Sequence, residues 1–313
     1  MSYFIFAQPQ NIWEIDDPIS LPGPASSFDE VAVKDPSIVF FGNEWHIFYT
    51  ARSQNEYTTG YVSAKDLSKL QTAKRFELEQ IRGKTRYGCA PQIFYFEPQK
   101  KWYLIFQNTD SNYQPAFSTT ATIANPETWS VSELLLQKDK KEKWIDFWII
   151  ADDKKVYLFY TEAHNGVVVR STNIEDFPNG WSAGEKVFDN VHEAVHVYKV
   201  KNKKEFHMIY ELNSDGIRSF GLASAKNLMG PWKKIADNYA TGEQLKYVGN
   251  NELWTEMVSH GEVIRSGFNQ QMEYDPNNCR WIIQGILKNQ MNPDYPSILW
   301  KLGVINLMPA TYK

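Results

Sequence analysis

The sequence predicts an all-β fold and, within that class, a five-bladed β-propeller. The first observation is a short aromatic-rich pattern that occurs five times and is typical of a β-strand each time. Its copies are WHIFYT (45–50), WYLIFQ (102–107), VYLFYT (156–161), FHMIYE (206–211) and WIIQGI (281–286). The second observation is spacing, because the first four copies begin 50 to 57 residues apart, about the length of one four-stranded blade. The third is that no long helical periodicity separates the copies.

Each copy is predicted to be the second strand of a repeating unit. A polar turn precedes it, such as FGNE (41–44) in the first unit and ADDK (151–154) in the third. Before four of these turns lies another apolar strand, as in PSIVF (36–40), and a third strand follows, as in VVVRST (167–172). Outer strands are expected near three tryptophans: Trp129, Trp181 and Trp232. Four antiparallel strands per unit, repeated five times, indicate propeller blades.

The two ends of the chain are expected to close the ring. NIWEI (11–15) can supply the last outer strand beside SILWKLGVINL (297–307), and such closure removes free sheet edges. A two-sheet sandwich is the alternative, but the regular spacing of the units favours blades. No linker or low-complexity segment interrupts the pattern, so residues 1–313 are predicted to form a single β-propeller domain.

The composition excludes several classes of protein and partner. Hydrophobic residues make up 42% and charged residues 22% of the 313 residues, which is enough apolar surface to exclude a disordered chain. The net charge is −4 without a basic run, so no nucleic-acid partner is expected. No apolar run approaches the roughly 20 residues that span a bilayer. The aromatic content of 15% either fills strand cores or forms sugar-stacking surfaces, and composition alone favours cores.

The N-terminus and the cysteines bear on the cellular compartment. MSYFIFAQPQ has no basic region, no long apolar stretch and no small-residue cleavage site. We therefore expect a cytoplasmic protein, or a secreted one from which a signal peptide has been removed, and a monomer in either case. Cys89 and Cys279 either pair across blades or remain free and buried, and their number does not decide between the two.

Three carboxylates occupy related positions in the repeat. Asp35 and Asp146 each lie ten residues before the second strand of their unit, and Glu193 lies thirteen residues before its own. These positions start the innermost strands, which line one mouth of a propeller channel. Their neighbours are apolar, and a buried acid without a basic partner is costly. A single aspartate here most simply caps a strand, but three in register indicate a site.

Convergent carboxylates at a propeller mouth suit glycoside hydrolysis. One acid protonates the departing oxygen, and one base activates a water molecule. A third carboxylate can raise the pKa of the acid through like-charge repulsion.

Seven segments carry a resemblance to a known family. In chain order these are VKDPSIVFFGNEWHIFYTA (33–51), APQIFYFEPQKKWYLIFQ (90–107), WIDFWIIADDKKVYLFY (144–160), HEAVHVYKV (192–200), IRSFGLASA (217–225), SHGEVIR (259–265) and DYPSILWKLGVINL (294–307). Together they resemble the α-L-arabinofuranosidases of glycoside hydrolase family 62, five-bladed propellers related to family 43. The resemblance implies that Asp35 is the general base and Glu193 the general acid. It implies that Asp146 orients the substrate and raises the pKa of the acid.

The same resemblance implies further pocket residues. Lys34 matches a lysine that reaches a sugar hydroxyl, and Gln107 matches a pocket glutamine. Arg218 matches an arginine at the pocket, and Tyr295 matches a tyrosine that packs near the sugar. Taken one at a time, these residues are more simply a strand end or a loop aromatic. Trp102 and Trp300 are expected to belong to the blade cores instead of forming sugar platforms.

A calcium ion is the expected cofactor, entirely from the resemblance. His260 in SHGE matches a histidine that helps hold calcium on the propeller axis, with water molecules at most of the other positions. From the residues alone a single histidine is more often a core residue, and calcium prefers oxygen ligands. The other five histidines show no ligand spacing in the sequence, and HEAVH (192–196) lies on a strand, unlike the helical zinc-protease motif.

The sequence also departs from the family pattern. Glu256 stands where a small polar residue is usual, and QGILK (284–288) lacks an expected arginine. Both changes are expected near the rim, where they affect polymer binding more than the sugar pocket. The resulting prediction is an inverting α-L-arabinofuranosidase that removes side groups from arabinoxylan or arabinan. The alternatives are a family 43-like β-xylosidase or arabinanase, and a non-catalytic glycan-binding propeller.

Overall fold

Five β-sheets surround a common axis in the computed structural model, which describes residues 11–82, 87–108, 114–136 and 143–308. Each inner strand contacts the inner strand of the next sheet, and the fifth contacts the first. This closed ring confirms the predicted five-bladed β-propeller. The first four strands of each blade are antiparallel neighbours, and in the first four blades they follow one another in sequence order, as short polar turns favour.

The first three blades each contain four strands, which follow one another from the axis outward. Blade 1 comprises Ala32–Phe41, Glu44–Arg52, Tyr57–Ala64 and Arg75–Glu77. Blade 2 comprises Cys89–Phe96, Lys101–Asn108, Gln114–Thr120 and Glu133–Leu134. Blade 3 comprises Trp144–Ala151, Lys155–Glu162, Gly166–Asn173 and Glu185–Asp189. The second strand of each blade contains the aromatic repeat, as predicted.

The last two blades each have a fifth strand that pairs in parallel. Blade 4 comprises Glu193–Val200, Phe206–Ser214, Ile217–Ala225 and Lys233–Ala240, with Glu273–Tyr274 beside the inner strand. Blade 5 comprises Ser259–Val263, Arg280–Gly285, Lys301–Leu307 and Trp13–Ile15, with Leu245–Tyr247 at the outside. Trp13 pairs with Leu307, so the N-terminal segment closes the ring as expected.

Helical structure is limited to short connections. The described residues contain one α-helix, Glu79–Arg82. The 3₁₀ turns are Leu67–Thr72, Glu97–Gln99, Pro126–Thr128, Gly242–Gln244, Pro276–Asn278, Lys288–Gln290 and Tyr295–Ser297. No helix among these is long and apolar enough to cross a membrane.

Aromatic side chains fill the space between blades. Among the largest side chains with under 2% exposure are six tryptophans: Trp13, Trp102, Trp144, Trp148, Trp281 and Trp300. Most of the aromatic content therefore packs the core, including both tryptophans assigned to it from the sequence. Cys89 and Cys279 are buried free thiols, which settles the choice that the sequence left open.

A buried ion pair fixes the inner strands away from the mouth. Arg265 Nε lies 2.9 Å from Glu262 Oε1, and Arg265 also donates to the carbonyl oxygens of Ile38 and Ile93. Ser37 donates to Glu262, whose pKa burial raises to about 7. Because these contacts join the inner strands of blades 1, 2 and 5, they fix those strands relative to one another.

Candidate active site

Every inner strand has a β-bulge near its first residues. In four blades a bulge residue has a positive φ: Asp35 (46°), Ala90 (48°), Asp146 (58°) and Ala194 (49°). Such angles are uncommon for residues other than glycine and persist only where the surroundings enforce them. A bulge also redirects the side chain. The repeat therefore presents one side chain per blade at the same end of the axis.

The preceding blade holds each bulge through its backbone N–H group. Four second-strand side chains accept these hydrogen bonds: Thr50 from Ala90 (2.8 Å), Gln107 from Asp146 (2.7 Å), Glu211 from His260 (2.9 Å) and Gln284 from Asp35 (2.7 Å). All four acceptors occupy the same register position, opposite the inner-strand residue just before the bulge. These side chains satisfy buried donors and fix the bulges in place.

A cavity of about 450 Å³ opens at this end of the axis. All eight residues singled out from the sequence line it: Lys34, Asp35, Gln107, Asp146, Glu193, Arg218, His260 and Tyr295. The structure adds lining residues that the sequence reasoning missed, namely Tyr57, Tyr87, Cys89, Ile145, His164, His192 and Pro296. Three carboxylates from three blades thus converge as predicted.

Asp35 is held in its ionised form. Burial opposes ionisation, but the Lys34 ammonium, 3.1 Å from Asp35 Oδ2, and His260 together lower the pKa of the Asp35 carboxyl. His260 Nδ1 lies 3.5 Å from Asp35 Oδ1. An anionic carboxylate at the base of a cavity can accept a proton from water.

Asp146 has the opposite tendency. Burial raises its pKa to about 6, and the carboxylates of Glu193 and Asp35 add to this effect. Asp146 Oδ2 accepts the backbone N–H of Ala194 at 2.8 Å and so reaches directly into blade 4. Because Ala194 follows Glu193, this bond ties the position of one carboxylate to the backbone that holds another.

Glu193 is surrounded by basic groups. His164 Nδ1 lies 3.1 Å and His192 Nε2 3.8 Å from Glu193 Oε1, and Arg218 Nη1 lies 3.5 Å from Oε2. Burial opposes ionisation, but the hydrogen bond from His164 and the charges of Arg218 and His192 lower the pKa of Glu193 to about 2. The arrangement therefore favours a proton on Asp146 over one on Glu193. An acid role for Glu193 requires a bound substrate to weaken these contacts.

Glu211 is a site residue that the sequence reasoning missed. Its Oε1 accepts from Arg218 Nη1 at 2.6 Å, and its Oε2 accepts from Ser259 Oγ at 2.7 Å. Glu211 therefore holds Arg218 at the cavity and joins blades 4 and 5. A signal was available, because Glu211 is the sixth residue of its repeat copy, the position that Gln107 occupies in the second copy.

Lys34 and Tyr295 lie together at the rim. The Lys34 ammonium is 5.1 Å from the centroid of the Tyr295 ring and 5.5 Å from that of Tyr57, which places it between two aromatic faces. Tyr295 remains 37% exposed, so its ring is available to a ligand. Gln107 lines the cavity, but its oxygen already accepts the Asp146 N–H group, which leaves its amide nitrogen for other contacts.

His260 lies between two of the carboxylates. Its Nδ1 is 3.5 Å from Asp35 Oδ1 and 3.8 Å from Asp146 Oδ2, so it is not an apolar core residue. These carboxylate oxygens are ligands of the kind that calcium prefers. One imidazole and two carboxylates are too few for its six to eight positions, so a calcium ion here would take most ligands from water.

The remaining histidines correct one sequence expectation. No ligand spacing was expected among them, yet the fold brings His164 and His192 to Glu193 with all three ligand atoms within 4.8 Å of one another. Twenty-eight residues separate the two histidines, so only the blade-to-blade junction could reveal this grouping. His196 is a core residue instead, stacked on Trp148 at 4.1 Å.

The two departures from the family pattern lie outside the cavity lining. Glu256 accepts the backbone N–H of Lys288 at 3.0 Å and so ties two connecting loops of blade 5. In the segment 284–288, Gln284 is buried and holds the bulge of blade 1, whereas Lys288 is exposed. Of that segment, only the C-terminal end at Lys288 lies at the surface, as expected of the rim.

Comparisons with known proteins agree with this geometry. Residues 19–306 match Glycosyl hydrolase family 62. Alpha-L-arabinofuranosidase C of Cellvibrio japonicus is 33% identical over 292 residues, covering 88% of this chain and 44% of that protein. The chain thus spans less than half the length of this curated relative.

Solved structures give the same result. The catalytic domain of a family 62 α-L-arabinofuranosidase from Coprinopsis cinerea has a TM-score of 0.88 and 30% identity, covering 96% of this chain and 98% of that one. A family 62 hydrolase in complex with xylotriose has a TM-score of 0.86 and 26% identity, covering 96% and 98%. A thermostable family-43 glycoside hydrolase, at 13% identity and a TM-score of 0.59 with coverage of 94% and 93%, shares the fold. The chain belongs to glycosyl hydrolase family 62.

Proposed function

We propose that this chain is the catalytic unit of an inverting α-L-arabinofuranosidase that removes arabinofuranose side groups from arabinoxylan or arabinan. The observation that carries the proposal is the set of three carboxylates in one cavity whose surroundings drive their pKa values apart. Membership of family 62 supports the same activity.

The proposed reaction is a single displacement. Asp35 accepts a proton from a water molecule, and the water oxygen bonds to the anomeric carbon of the arabinose. The glycosidic C–O bond breaks as the departing oxygen takes the proton of Glu193. The lowered pKa of Asp35 suits a base, because the group stays anionic until it accepts this proton.

Glu193 must gain a proton before it can act as the acid. His164, whose side chain is 51% exposed, makes the shortest basic contact to Glu193, and a sugar at the mouth can displace it. Without that contact, burial and the carboxylate of Asp146 raise the pKa of Glu193. Asp146 also holds the Ala194 N–H group, so it keeps Glu193 directed at the leaving oxygen.

The remaining cavity residues are proposed to bind the sugar. Lys34, Gln107 and Arg218 present donors to the hydroxyl groups of one furanose, and the Tyr295 ring packs against it. Buried carboxylates at the base of the cavity suit a terminal sugar, with the main chain of the polymer outside. A family 62 hydrolase has been solved in complex with xylotriose, which supports a xylan main chain in the proposed substrate.

A calcium ion beside His260 is part of the proposal. The imidazole and neighbouring carboxylate oxygens would hold it, and its charge would help keep Asp35 ionised. Thermal unfolding after treatment with a chelator tests this, since calcium restored to the protein should raise the Tm. A Tm that does not respond to calcium would remove the ion from the proposal.

The chain is further proposed to be secreted, with the cytoplasm as the alternative, because the proposed substrate is a polysaccharide found outside cells. It is proposed to be a monomer because a single chain completes the site. Size-exclusion chromatography with light scattering tests the second point. A stable dimer would contradict it.

Incubation with arabinoxylan, unsubstituted xylan and arabinan, followed by chromatography of free sugars, tests the activity. Free arabinose is expected, and proton NMR of the first minutes should show it as the β-anomer, since one displacement inverts the α-linkage. Release of xylose or of arabinan fragments would favour the family 43-like β-xylosidase or arabinanase. Binding to the polymers without release would favour a non-catalytic glycan-binding propeller. The Asp35→Asn variant is the matched control and should release arabinose about 10²- to 10⁴-fold more slowly.

A further inference from the structure

Two imidazoles and a carboxylate meet at the mouth of the cavity, in a group that we call the mouth cluster: His164, His192 and Glu193. His164 Nδ1 and His192 Nε2 lie 3.1 and 3.8 Å from the same oxygen, Glu193 Oε1. The two imidazole rings are stacked with centroids 5.0 Å apart. Nothing in the proposed displacement reaction requires two histidines on one carboxylate.

The positions of all three residues are set by neighbouring strands. His164 lies in the turn between the second and third strands of blade 3 with φ at 51°, and its Nδ1 is also 3.3 Å from the carbonyl oxygen of His192. His192 directly precedes the inner strand of blade 4, and Glu193 is the first residue of that strand. The cluster thus bridges two blades, and its His164 side chain is exposed to solvent.

We propose that the mouth cluster binds one transition-metal cation of the zinc type. Two imidazoles and one carboxylate are a donor set that Zn²⁺ favours, and a tetrahedral site with bonds of about 2.0–2.2 Å needs ligand atoms about 3.3–3.6 Å apart. The two distances to Glu193 Oε1, 3.1 and 3.8 Å, bracket that requirement. The two imidazole nitrogens lie within 4.8 Å of each other, so side-chain movement would have to complete the site. The cluster supplies three protein ligands, so a water molecule would complete the four that Zn²⁺ takes.

The surroundings of Glu193 leave the required oxygen free. Arg218 contacts Oε2, whereas both histidines contact Oε1, and Glu211 at 2.6 Å balances the charge of Arg218. A cation can therefore bind Oε1 while Oε2 keeps its contact with Arg218. Calcium and magnesium do not suit this cluster, because they prefer more oxygen ligands than it offers. The cluster thus differs from the proposed calcium position at His260, which has other donors.

Occupancy of the cluster has a consequence for catalysis. A metal ion on Oε1 prevents Glu193 from carrying the proton that the leaving oxygen needs, and it narrows the mouth of the cavity. Zinc is therefore expected to inhibit the release of arabinose. This consequence rests on the proposed function, whereas the binding of the metal does not.

Calorimetric titration of the whole chain with zinc chloride at pH 7.5 tests the proposal directly. We expect one zinc ion per chain, no competition from excess calcium, and Co²⁺ bound in its place with the visible absorption of a tetrahedral site. The variants His164→Gln and His192→Gln should each raise the Kd at least 10- to 100-fold, because each removes a ligand. His207→Gln is the matched control. His207 also lies near a carboxylate, with its Nε2 3.7 Å from Glu205 Oε1, but it does not line the cavity, and its loss should leave the Kd unchanged.

Three outcomes would overturn the proposal. They are the absence of saturable zinc binding, unchanged binding in the His164→Gln/His192→Gln double variant, and an equal loss of binding in His207→Gln. Circular dichroism of each variant checks that it folds. If the chain binds zinc as expected but releases no arabinose from any polymer, the proposed function fails and the metal site stands. If it releases arabinose but fails to bind zinc, the metal site fails and the proposed function stands.

Discussion

Blades 1 and 2 share a backbone feature but differ in the chemistry that it presents. The inner strand of each has a bulge residue with nearly the same positive φ, 46° at Asp35 and 48° at Ala90. A side chain of the preceding blade holds the N–H group of each, Gln284 for Asp35 and Thr50 for Ala90. Of these two blades, only blade 1 carries a carboxylate at this position.

This difference separates what the fold requires from what the activity requires. Because the strained bulge recurs in a blade without a carboxylate at it, the bulge belongs to the blade-to-blade junction of the propeller. Strain at Asp35 is therefore no evidence of catalysis by itself. The evidence lies in the residue type and in its partners Lys34 and His260, which blade 2 does not provide at Ala90.

We expect the largest difference in kcat between the variants Asp35→Asn and Ala90→Gly. Asn at position 35 keeps the shape of the bulge but cannot accept a proton from water, so kcat should fall about 10²- to 10⁴-fold on every substrate. Gly at position 90 adopts a positive φ without strain, so kcat should stay within about twofold of the unmodified value. Rates of arabinose release by both variants measure this. Similar losses in both would mean that bulge geometry, and not the carboxylate, limits the reaction.

The effect of Glu193→Gln should depend on the leaving group. An acid is needed most when the departing oxygen is a poor leaving group, as in a xylan hydroxyl. The variant should therefore lose about 10²- to 10⁴-fold on arabinoxylan but much less on a nitrophenyl arabinofuranoside. Asp35→Asn should lose similar factors on both substrates, because both need activated water. If the two variants show the same substrate dependence, the roles of acid and base are wrongly assigned.

His164→Gln and Asp146→Asn should move the pH profile in opposite directions. His164 lowers the pKa of Glu193, so its removal raises that pKa and extends the basic limb of kcat/KM to higher pH. Asp146 acts on Glu193 with a like charge, so its neutralisation lowers the pKa of Glu193 and moves the basic limb to lower pH. Profiles of kcat/KM on arabinoxylan, whose departing oxygen needs the proton of Glu193, measure both shifts. Shifts in the same direction would show that Glu193 does not control the basic limb.

The fold and much of the site were predictable because they follow the repeat. The second strands, the ring closure at Trp13 and the positions of Asp35 and Asp146 all depend on spacing along the chain. The regular spacing of the strands is visible in the sequence because each blade buries the same apolar pattern. The roles implied for Lys34 and Tyr295 came from the family resemblance, and the structure places both at the cavity.

What the sequence did not predict are contacts between blades. His164 and Glu193 meet only because the turn of blade 3 lies over the start of blade 4, and no period in the sequence records that. Glu211 was missed for another reason. Its position in the repeat was visible, but its role depends on the N–H group of His260 in the next blade. The pKa of Glu193 depends on the same kind of contact.

We expect the smallest effect in the free energy of unfolding, when two threonines at the same register position are each replaced. Thr50 in blade 1 accepts the N–H group of Ala90, whereas the corresponding Thr161 in blade 3 has a buried hydroxyl without a hydrogen-bond partner among the described residues. Asp146 accounts for the difference, because it accepts the Ala194 N–H group that Thr161 would otherwise hold. Thr50→Val leaves a buried donor unsatisfied and should lower the free energy of unfolding by about 1–3 kcal/mol.

Thr161→Val removes only an unpartnered hydroxyl, so the free energy of unfolding should stay the same or rise by up to about 1 kcal/mol. Urea unfolding of the two variants, followed by tryptophan fluorescence, measures the difference. Threonine and valine have nearly the same shape, so effects of volume cancel in the comparison. The difference then reports the hydrogen bonds of Thr50, which are those with the Ala90 N–H group and with the Asp35 carboxylate. Equal destabilisation by both variants would mean that Thr161 also holds the blade 4 bulge. Asp146 would then be free of the structural task that ties it to Glu193, and its effect on the pH profile would have to come from its charge alone.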